Sequence, residues 1–339
     1  MIERGPITGS PASAVSSYAE QGLAPLRDLL TSDRVNEVVI NPDGGIFVEH
    51  ADAAHMSAAI CIEMPEHAIR TLGGHLAGET GNALGEDHPI VSGRVHVFGA
   101  DMRVQVVAPP AVERGVSLSI RKYVSHVLEP DAISFVAGGQ IDLGEERRER
   151  QRAIEKHVES GNLPSLFRQA IDDRLNILIS GGTSSGKTTV ARALLALAHA
   201  DERLVTIEDA IELRPVHANT VSLVADRLRG SDRSASKLMH SALRMRPDRL
   251  VLGEIRGTEA YDFLEAINTG HPGSITTIHA DSPQLALERL ALMVMQTGVR
   301  LSRSDVIDYA RSTIDLIVQV GRRNGARGVL EIAAMRAEA

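Results

Sequence analysis

The stretch ISGGTSSGKTTVARALL, Ile179–Leu195, decides the fold. An apolar run leads into it and a helical run leads out. Between them, Gly181-Gly182-Thr183-Ser184-Ser185-Gly186-Lys187-Thr188 satisfies G-x-x-x-x-G-K-[ST]. A turn that only reverses direction needs no lysine and threonine at its end, whereas a turn that wraps a phosphate does. Its glycines let backbone N–H groups converge on an anion without Cβ interference. The helix that opens at Lys187, Thr188 and Thr189 aims its positive end at the same point. Lys187 then reaches the β- and γ-phosphates, and the Thr188 hydroxyl reaches Mg²⁺. The expected ligands are ATP and Mg²⁺. Adenine is preferred over guanine because no clear [NT]-K-x-D element is present.

Around this loop the second half of the chain alternates. LNILIS, RLVTIED, DRLVLGE and GSITTIHA read as strands. KTTVARALLALAHA, SASKLMHSALRMR and TEAYDFLEAINTG read as helices between them. Such alternation predicts a mostly parallel sheet covered on both faces. The tail TIDLIVQVGRRNGARGVLEIAAM reads as a closing β-hairpin.

The first half has a different character. AEQGLAPLRDLLTS fits a short helix, and VNEVVINPDGGIFVEH fits a hairpin around Pro42-Asp43-Gly44-Gly45. A helix is expected from about Pro65, then three strands in GRVHVFG, MRVQVVAPP and GVSLSIRKY. The expected fold class is thus α/β, a P-loop domain with a smaller α+β domain before it. The expected boundaries are a flexible arm over 1–17, an N-terminal domain over 18–123, a linker over 124–160 and the ATPase domain over 161–339. The charged run EERRERQR, Glu145–Arg152, reads as a solvated helix face within that linker.

Composition excludes several classes. The 339 residues carry a net charge of −8 with no basic block, which disfavours nucleic acid as the principal partner. The single cysteine, Cys61, rules out disulfide frameworks and four-cysteine zinc sites within the chain, and is read as a buried thiol. No apolar run approaches the roughly 20 residues that a bilayer crossing needs. The expected location is the cytosol. The 13 histidines show no zinc-type spacing.

Hydrolysis also needs groups that hold the metal and place water. Carboxylates at the C-terminal ends of neighbouring strands are well placed for this. In LVTIEDAIEL, Glu208 is the first candidate; Asp209 and Glu212 fit a helix-capping cluster equally well. In RPDRLVLGEIRG, Glu254 follows an apolar strand and is the candidate general base or metal-site carboxylate. Gly253 before it is expected to permit close approach to the phosphate loop, and Arg256 fits a structural role as well as a functional one. In TGHPGSITTIHADS, His279 ends a strand where a γ-phosphate could be sensed, while His271 lies in a turn and is left open.

With these elements in order, the sequence resembles the secretion ATPases of bacterial type II and type IV secretion, most of all the conjugative-transfer, TrbB-type members. The boxes are GGTSSGKTT, TIEDAIEL, LRMRPDRLVLGEIRG and TGHPGSITTIHA, with a weaker match in VNEVVINPDG and VSLSIRKY. The resemblance implies a RecA-like ATPase domain, a homohexameric ring and ATP held between the two domains. It implies roles for Lys187 and Thr188 on phosphate and metal, for Glu208 as acidic-box residue, for Glu254 as catalytic glutamate and for His279 as sensor. It also implies nucleotide-touching arginines in the N-terminal domain, with Arg103 and Arg121 as candidates. Inner-membrane components of a secretion or conjugation machine are the implied partners, with the protein peripheral to that membrane. Type II and pilus relatives often carry aspartate where this chain has Gly257, and type II assembly ATPases often carry a four-cysteine module that one cysteine cannot build. Both departures favour the conjugative branch. Two other readings remain: a nucleotide-gated docking platform without obligatory turnover, and a RecA-like DNA motor.

Overall fold

The computed structural model describes residues 16–123, 129–228 and 230–335. The arm expected over 1–17 lies outside the described residues, apart from Ser16 and Ser17. Ser17 caps the first helix, α1 (Tyr18–Gly22), accepting from the Glu20 N–H. The single helix expected over Ala19–Ser32 is broken. A 3₁₀ turn at Ala24–Leu26 separates α1 from α2 (Arg27–Thr31). Pro25 has no N–H to donate to a continuous helix.

The first sheet is antiparallel. Its strands are β1 (Val35–Ile40), β2 (Ile46–His50), β3 (Ser57–Ala58), β4 (Ile90–Val97), β5 (Ala100–Val107) and β6 (Ser117–Lys122), in the order β3-β2-β1-β6-β5-β4. The β1–β2 hairpin turns where expected: Asp43 accepts from the Gly45 N–H at 3.0 Å, and Gly44 takes φ 91°. Helix α3 (Glu66–Glu79) starts directly after Pro65 and buries Ile69, Leu72 and Leu76 in a core with Val104, Leu118 and Ile120. Cys61 is exposed, contrary to the reading of a buried thiol. It follows the two-residue edge strand β3 in a connecting segment, and such segments run over the surface where their backbone stays hydrated.

The second half opens with α4 (Leu143–Ser160) and α5 (Leu163–Asp172). There follow β7 (Ile177–Ser180), α6 (Lys187–Leu195), β8 (Leu204–Glu208), β9 (Thr220–Val224), α7 (Ala235–Ala242), β10 (Arg249–Leu252), α8 (Glu259–Asn268) and β11 (Ile275–Ile278). The chain closes with α9 (Pro283–Met295), α10 (Arg303–Thr313), β12 (Leu316–Arg323) and β13 (Ala326–Ala334). The sheet order is β13-β12-β7-β11-β10-β8-β9. All its pairings are parallel except the terminal β12–β13 hairpin. Every residue of β7, β8, β10 and β11 is buried, as strands covered on both faces must be. The charged face of α4 is mostly exposed, yet Ile154 enters the core with Leu166 and Ala170, and Arg147 donates to the Ser312 carbonyl.

The two halves are joined through buried polar groups. Arg203, before β8, is fully buried; its Nη1 donates to Asn41 Oδ1 at 2.6 Å and its Nε to the Met245 carbonyl at 2.7 Å. Arg246 Nε donates to Glu49 Oε1 at 2.7 Å, and Gln105 Nε2 to Ser241 Oγ at 2.9 Å. Val107, Ala111 and Val112 complete an apolar core with Val221, Leu223 and Leu238.

Candidate nucleotide site

The C-terminal ends of β7, β11, β10 and β8 point the same way, so the loops that follow them meet at one edge. There they line a cavity of about 1030 Å³ containing Lys187, Thr188, Glu208, Glu212, Glu254 and His279. Thr183 through Thr189 line one side of it. Gly186 has φ 101°, a left-handed conformation that glycine adopts without strain. A Cβ at Gly182 or Gly186 would meet nothing within 4 Å, so the cradle has room for a phosphate. Ser185 Oγ is buried there without a hydrogen-bond partner. A buried orphan hydroxyl costs stability unless something satisfies it, and a phosphate oxygen would.

Lys187 Nζ folds back on the loop, donating to the Gly181 and Gly182 carbonyls at 3.0 and 3.2 Å. It also lies 3.3 Å from His279 Nδ1. Burial, aided by Arg256 and opposed by Glu254, lowers the lysine below its usual pKa. His279 Nε2 is 2.8 Å from Glu254 Oε1, although the approach is not aligned as a hydrogen bond. Burial, then the Lys187 charge, pulls His279 below its ordinary value, with Glu254 opposing. The other Glu254 oxygen accepts from Arg256 Nη2 at 2.5 Å. That bond raises the Arg256 pKa and fixes the carboxylate's orientation.

Glu208 lies in the same cavity, but its carboxylate is used by its own loop. Oε1 accepts from the Glu212 and Leu213 N–H groups at 3.0 Å each, and Oε2 from the Thr206 hydroxyl at 3.2 Å. Burial raises its pKa against those bonds. The Thr188 hydroxyl donates to Glu212 Oε2 at 3.4 Å. Among the described residues no cluster of three or more His, Cys, Asp or Glu is arranged to hold a metal. Mg²⁺ held mainly by phosphate and water needs only one or two protein groups, and Thr188 with Glu212 fits that role.

Some expected neighbours lie elsewhere. Arg103 and Arg121 face each other across β5 and β6, with Arg103 over the Tyr123 ring at 5.9 Å, and neither lines the cavity. His271 precedes β11, at the end of that strand opposite His279. Gly253 lines the same cavity as the phosphate loop, and a Cβ there would first meet Glu208 Cγ at 3.0 Å and the Ile207 carbonyl at 3.3 Å. The small residue lets β10 and β8 approach each other. Sequence reasoning missed Arg227, which holds Asp209 through its Nε at 2.8 Å, and Arg327, which lines the cavity from the closing hairpin. The arginines of RRNGAR at the hairpin tip were a readable signal for the second.

A family model described as "Type II/IV secretion system protein" matches residues 153–323. The type IV secretion system protein VirB11 of Brucella suis biovar 1 is 35% identical over 306 residues, covering 88% of this chain and 83% of that one. The conjugal transfer protein TrbB of Rhizobium radiobacter is 33% identical over 302 residues, with the same coverage of each chain. A crystal structure of the Brucella suis VirB11 ATPase in complex with sulphate matches with a TM-score of 0.81 at 31% identity, covering 93% of this chain and 94% of that one. The fold is therefore that of an α/β secretion ATPase, with a RecA-like second half and a smaller α+β first half. On sequence and fold together, the chain belongs to the type II/IV secretion system protein family.

Proposed function

We propose that this protein is an ATP-hydrolysing motor that powers assembly or substrate transfer in a type IV secretion or conjugation machine, acting as a homohexameric ring. The observation that carries the reading is the convergence of an open phosphate cradle, Lys187, His279 and Glu254 in one cavity. Lys187 exchanges its two loop carbonyls for phosphate oxygens, and Ser185 gains its missing partner. Thr188 and Glu212 would hold Mg²⁺, which when bound would supply positive charge beside the phosphates. Glu254 orients the attacking water, and His279, uncharged, links that carboxylate to the lysine at the γ-phosphate. A ring whose domain arrangements differ in ATP affinity converts that difference into movement.

We further propose four segments: an arm over 1–17, an N-terminal domain over 18–123, a linker over 124–160 and an ATPase domain over 161–339. Because Ile154 is seated in the second core, the later part of that linker travels with the ATPase domain. The protein is placed on the cytoplasmic side, docked on inner-membrane components of such a machine; the relatives' names support the machine, type IV secretion or conjugal transfer. Among the described residues no helix is long and apolar enough to cross a membrane. The Arg256–Glu254 bond favours a second reading, a nucleotide-gated platform whose turnover waits on release of that arginine.

The deciding experiment is ATP hydrolysis per subunit against protein concentration with Mg²⁺, for wild type and Glu254→Gln. A specific rate that rises to a plateau and is lost in the variant supports the ring motor. No wild-type turnover at any concentration supports the gated platform. Turnover equal in variant and wild type removes Glu254 from the mechanism.

A further inference from the structure

The β12–β13 hairpin carries Arg322, Arg323 and Arg327 at an exposed tip. Arg322 and Arg327 are directly opposite each other in the register. Like charges so placed destabilise a hairpin. Among the described residues none of the three forms an ion pair, so nothing in the subunit offsets that cost. The other described arginines lining the cavity are engaged, Arg256 with Glu254 and Arg227 with Asp209.

The hairpin's position explains what the charge is for. β12 pairs with β7 up to Gln319 opposite Ser180, so the next residues run beside the phosphate loop. The approach is close: a Cβ on Gly181 would stand 2.4 Å from the Val320 carbonyl oxygen. Arg327 thereby joins Thr183 and Ser184 in lining the cavity. The sheet order puts β11 and β10, with His279 and Glu254, on one flank of β7 and β12 on the other. The γ-phosphate belongs on the His279–Glu254 flank. A nucleotide whose β-phosphate sits in the loop extends its α-phosphate and nucleoside toward the opposite flank, where Arg327 stands.

We propose that Arg327 binds the nucleotide from the β12 side, donating to the α-phosphate end shared by ATP and ADP. This rests on the ATP-site reading above. A guanidinium suits the task because its fork of donors matches phosphate oxygens and it keeps its charge. The contact is indifferent to the γ-phosphate, so it secures the nucleotide before and after hydrolysis.

The test is equilibrium binding of fluorescent ADP and of a non-hydrolysable fluorescent ATP analogue to the full chain with Mg²⁺. The variants are Arg327→Ala, Arg327→Lys, Arg322→Ala and Lys187→Ala, with oligomeric state matched by sedimentation. Arg327→Ala is expected to weaken both nucleotides by a similar factor of about 10, the order of one charge-assisted hydrogen bond. Arg327→Lys should recover part of the loss, and Arg322→Ala should stay within about twofold of wild type. Arg327→Ala binding like wild type while Lys187→Ala fails would overturn the Arg327 contact and leave the ATP site standing. A loss confined to the ATP analogue would overturn the assignment to the α-phosphate end. Altered subunit association with unchanged affinity would make the hairpin a subunit contact instead. A wild type that binds neither nucleotide would remove the ATP site itself.

Discussion

His279 and Glu254 meet 2.8 Å apart across the ends of β11 and β10, and the far nitrogen of the same imidazole faces Lys187 at 3.3 Å. Glu254 and His279, just past the ends of β10 and β11, and Lys187, which opens α6, are thus linked across the cavity. The lysine donates to Nδ1, so the neutral ring carries its proton on Nε2, on the side of the carboxylate. That arrangement exists only while the ring is neutral at Nδ1.

The first consequence is a pH dependence of turnover. Burial and Lys187 hold His279 below its usual pKa, which favours the uncharged ring. As pH falls through that depressed value, the ring becomes a cation against Lys187 and ties up Glu254. Steady-state ATPase activity should therefore fall on acidification, at a pH below the ordinary histidine range. His279→Asn should lower turnover at pH 7.5 by about 10- to 100-fold and flatten this acidic limb. A pH–rate profile from 5 to 8 checks it; an unchanged limb in the variant would assign the titration to another group.

A second dependence concerns stability. Glu37 on β1 is 2% exposed, and its pKa is raised to about 7, first by burial and then by Glu49, with Arg121, Arg203 and Arg246 opposing. Between the unfolded value of 4.5 and about 7, the folded protein holds a proton that the unfolded chain has released. Stability contributed by this group is present at low pH and lost as pH rises through that window. Glu37→Gln should leave the melting temperature nearly unchanged at pH 5 and raise it at pH 8, by at most about 3 kcal/mol of stability. Scanning calorimetry at both pH values measures the difference, and an equal shift at each would exclude Glu37 as its source.

The third prediction concerns the buried pair behind the sheet. Arg249 and Glu202 are 1% and 5% exposed at the side chain. They bond twice, Nε to Oε2 at 2.6 Å and Nη2 to Oε1 at 3.0 Å. Burial alone would raise the Glu202 pKa, yet Arg249, together with Arg174 and the His199 N–H, outweighs it and the carboxyl is lowered. Glu202→Ala leaves the guanidinium buried with only the Ile171 and Gly273 carbonyls. The expected loss is about 3–5 kcal/mol. Urea unfolding of Glu202→Ala against Glu202→Leu/Arg249→Met should show the double variant recovering much of it.

Two neighbouring glycines should respond differently. A Cβ at Gly181 meets the Val320 carbonyl at 2.4 Å and Ser185 Oγ at 2.6 Å, so Gly181→Ala should cost about 1–3 kcal/mol of stability. A Cβ at Gly182 meets nothing within 4 Å, so Gly182→Ala should fold normally. Its methyl group instead occupies space left for the phosphate and should weaken nucleotide binding. Thermal melts paired with nucleotide titrations separate the two effects.

Local pattern made much of this molecule readable. The G-x-x-x-x-G-K-[ST] loop lies between β7 and α6 as expected. The alternating apolar runs became the parallel strands, and Pro65 marked the start of α3. What escaped was short or context-dependent. β9 is five residues at the sheet edge, and Pro25 divided a plausible helix. Within the site, Lys187, His279 and Glu254 could be named as candidates because each ends or follows a strand. Glu208 could be named too, but that the Glu212 and Leu213 N–H groups take up its carboxylate follows from how the loop curls back.

The sequence by itself therefore determined the repeating elements and the phosphate cradle, since backbone preference and hydrophobic periodicity act over a few residues. Which charges face one another was decided by the sheet order β12-β7-β11-β10-β8. That order sets His279 against Glu254, brings Arg327 beside the phosphate loop from the closing hairpin and leaves Arg103 and Arg121 outside the cavity. Contacts between residues dozens to hundreds of positions apart depend on how whole strands are stacked, and no local spacing encodes that.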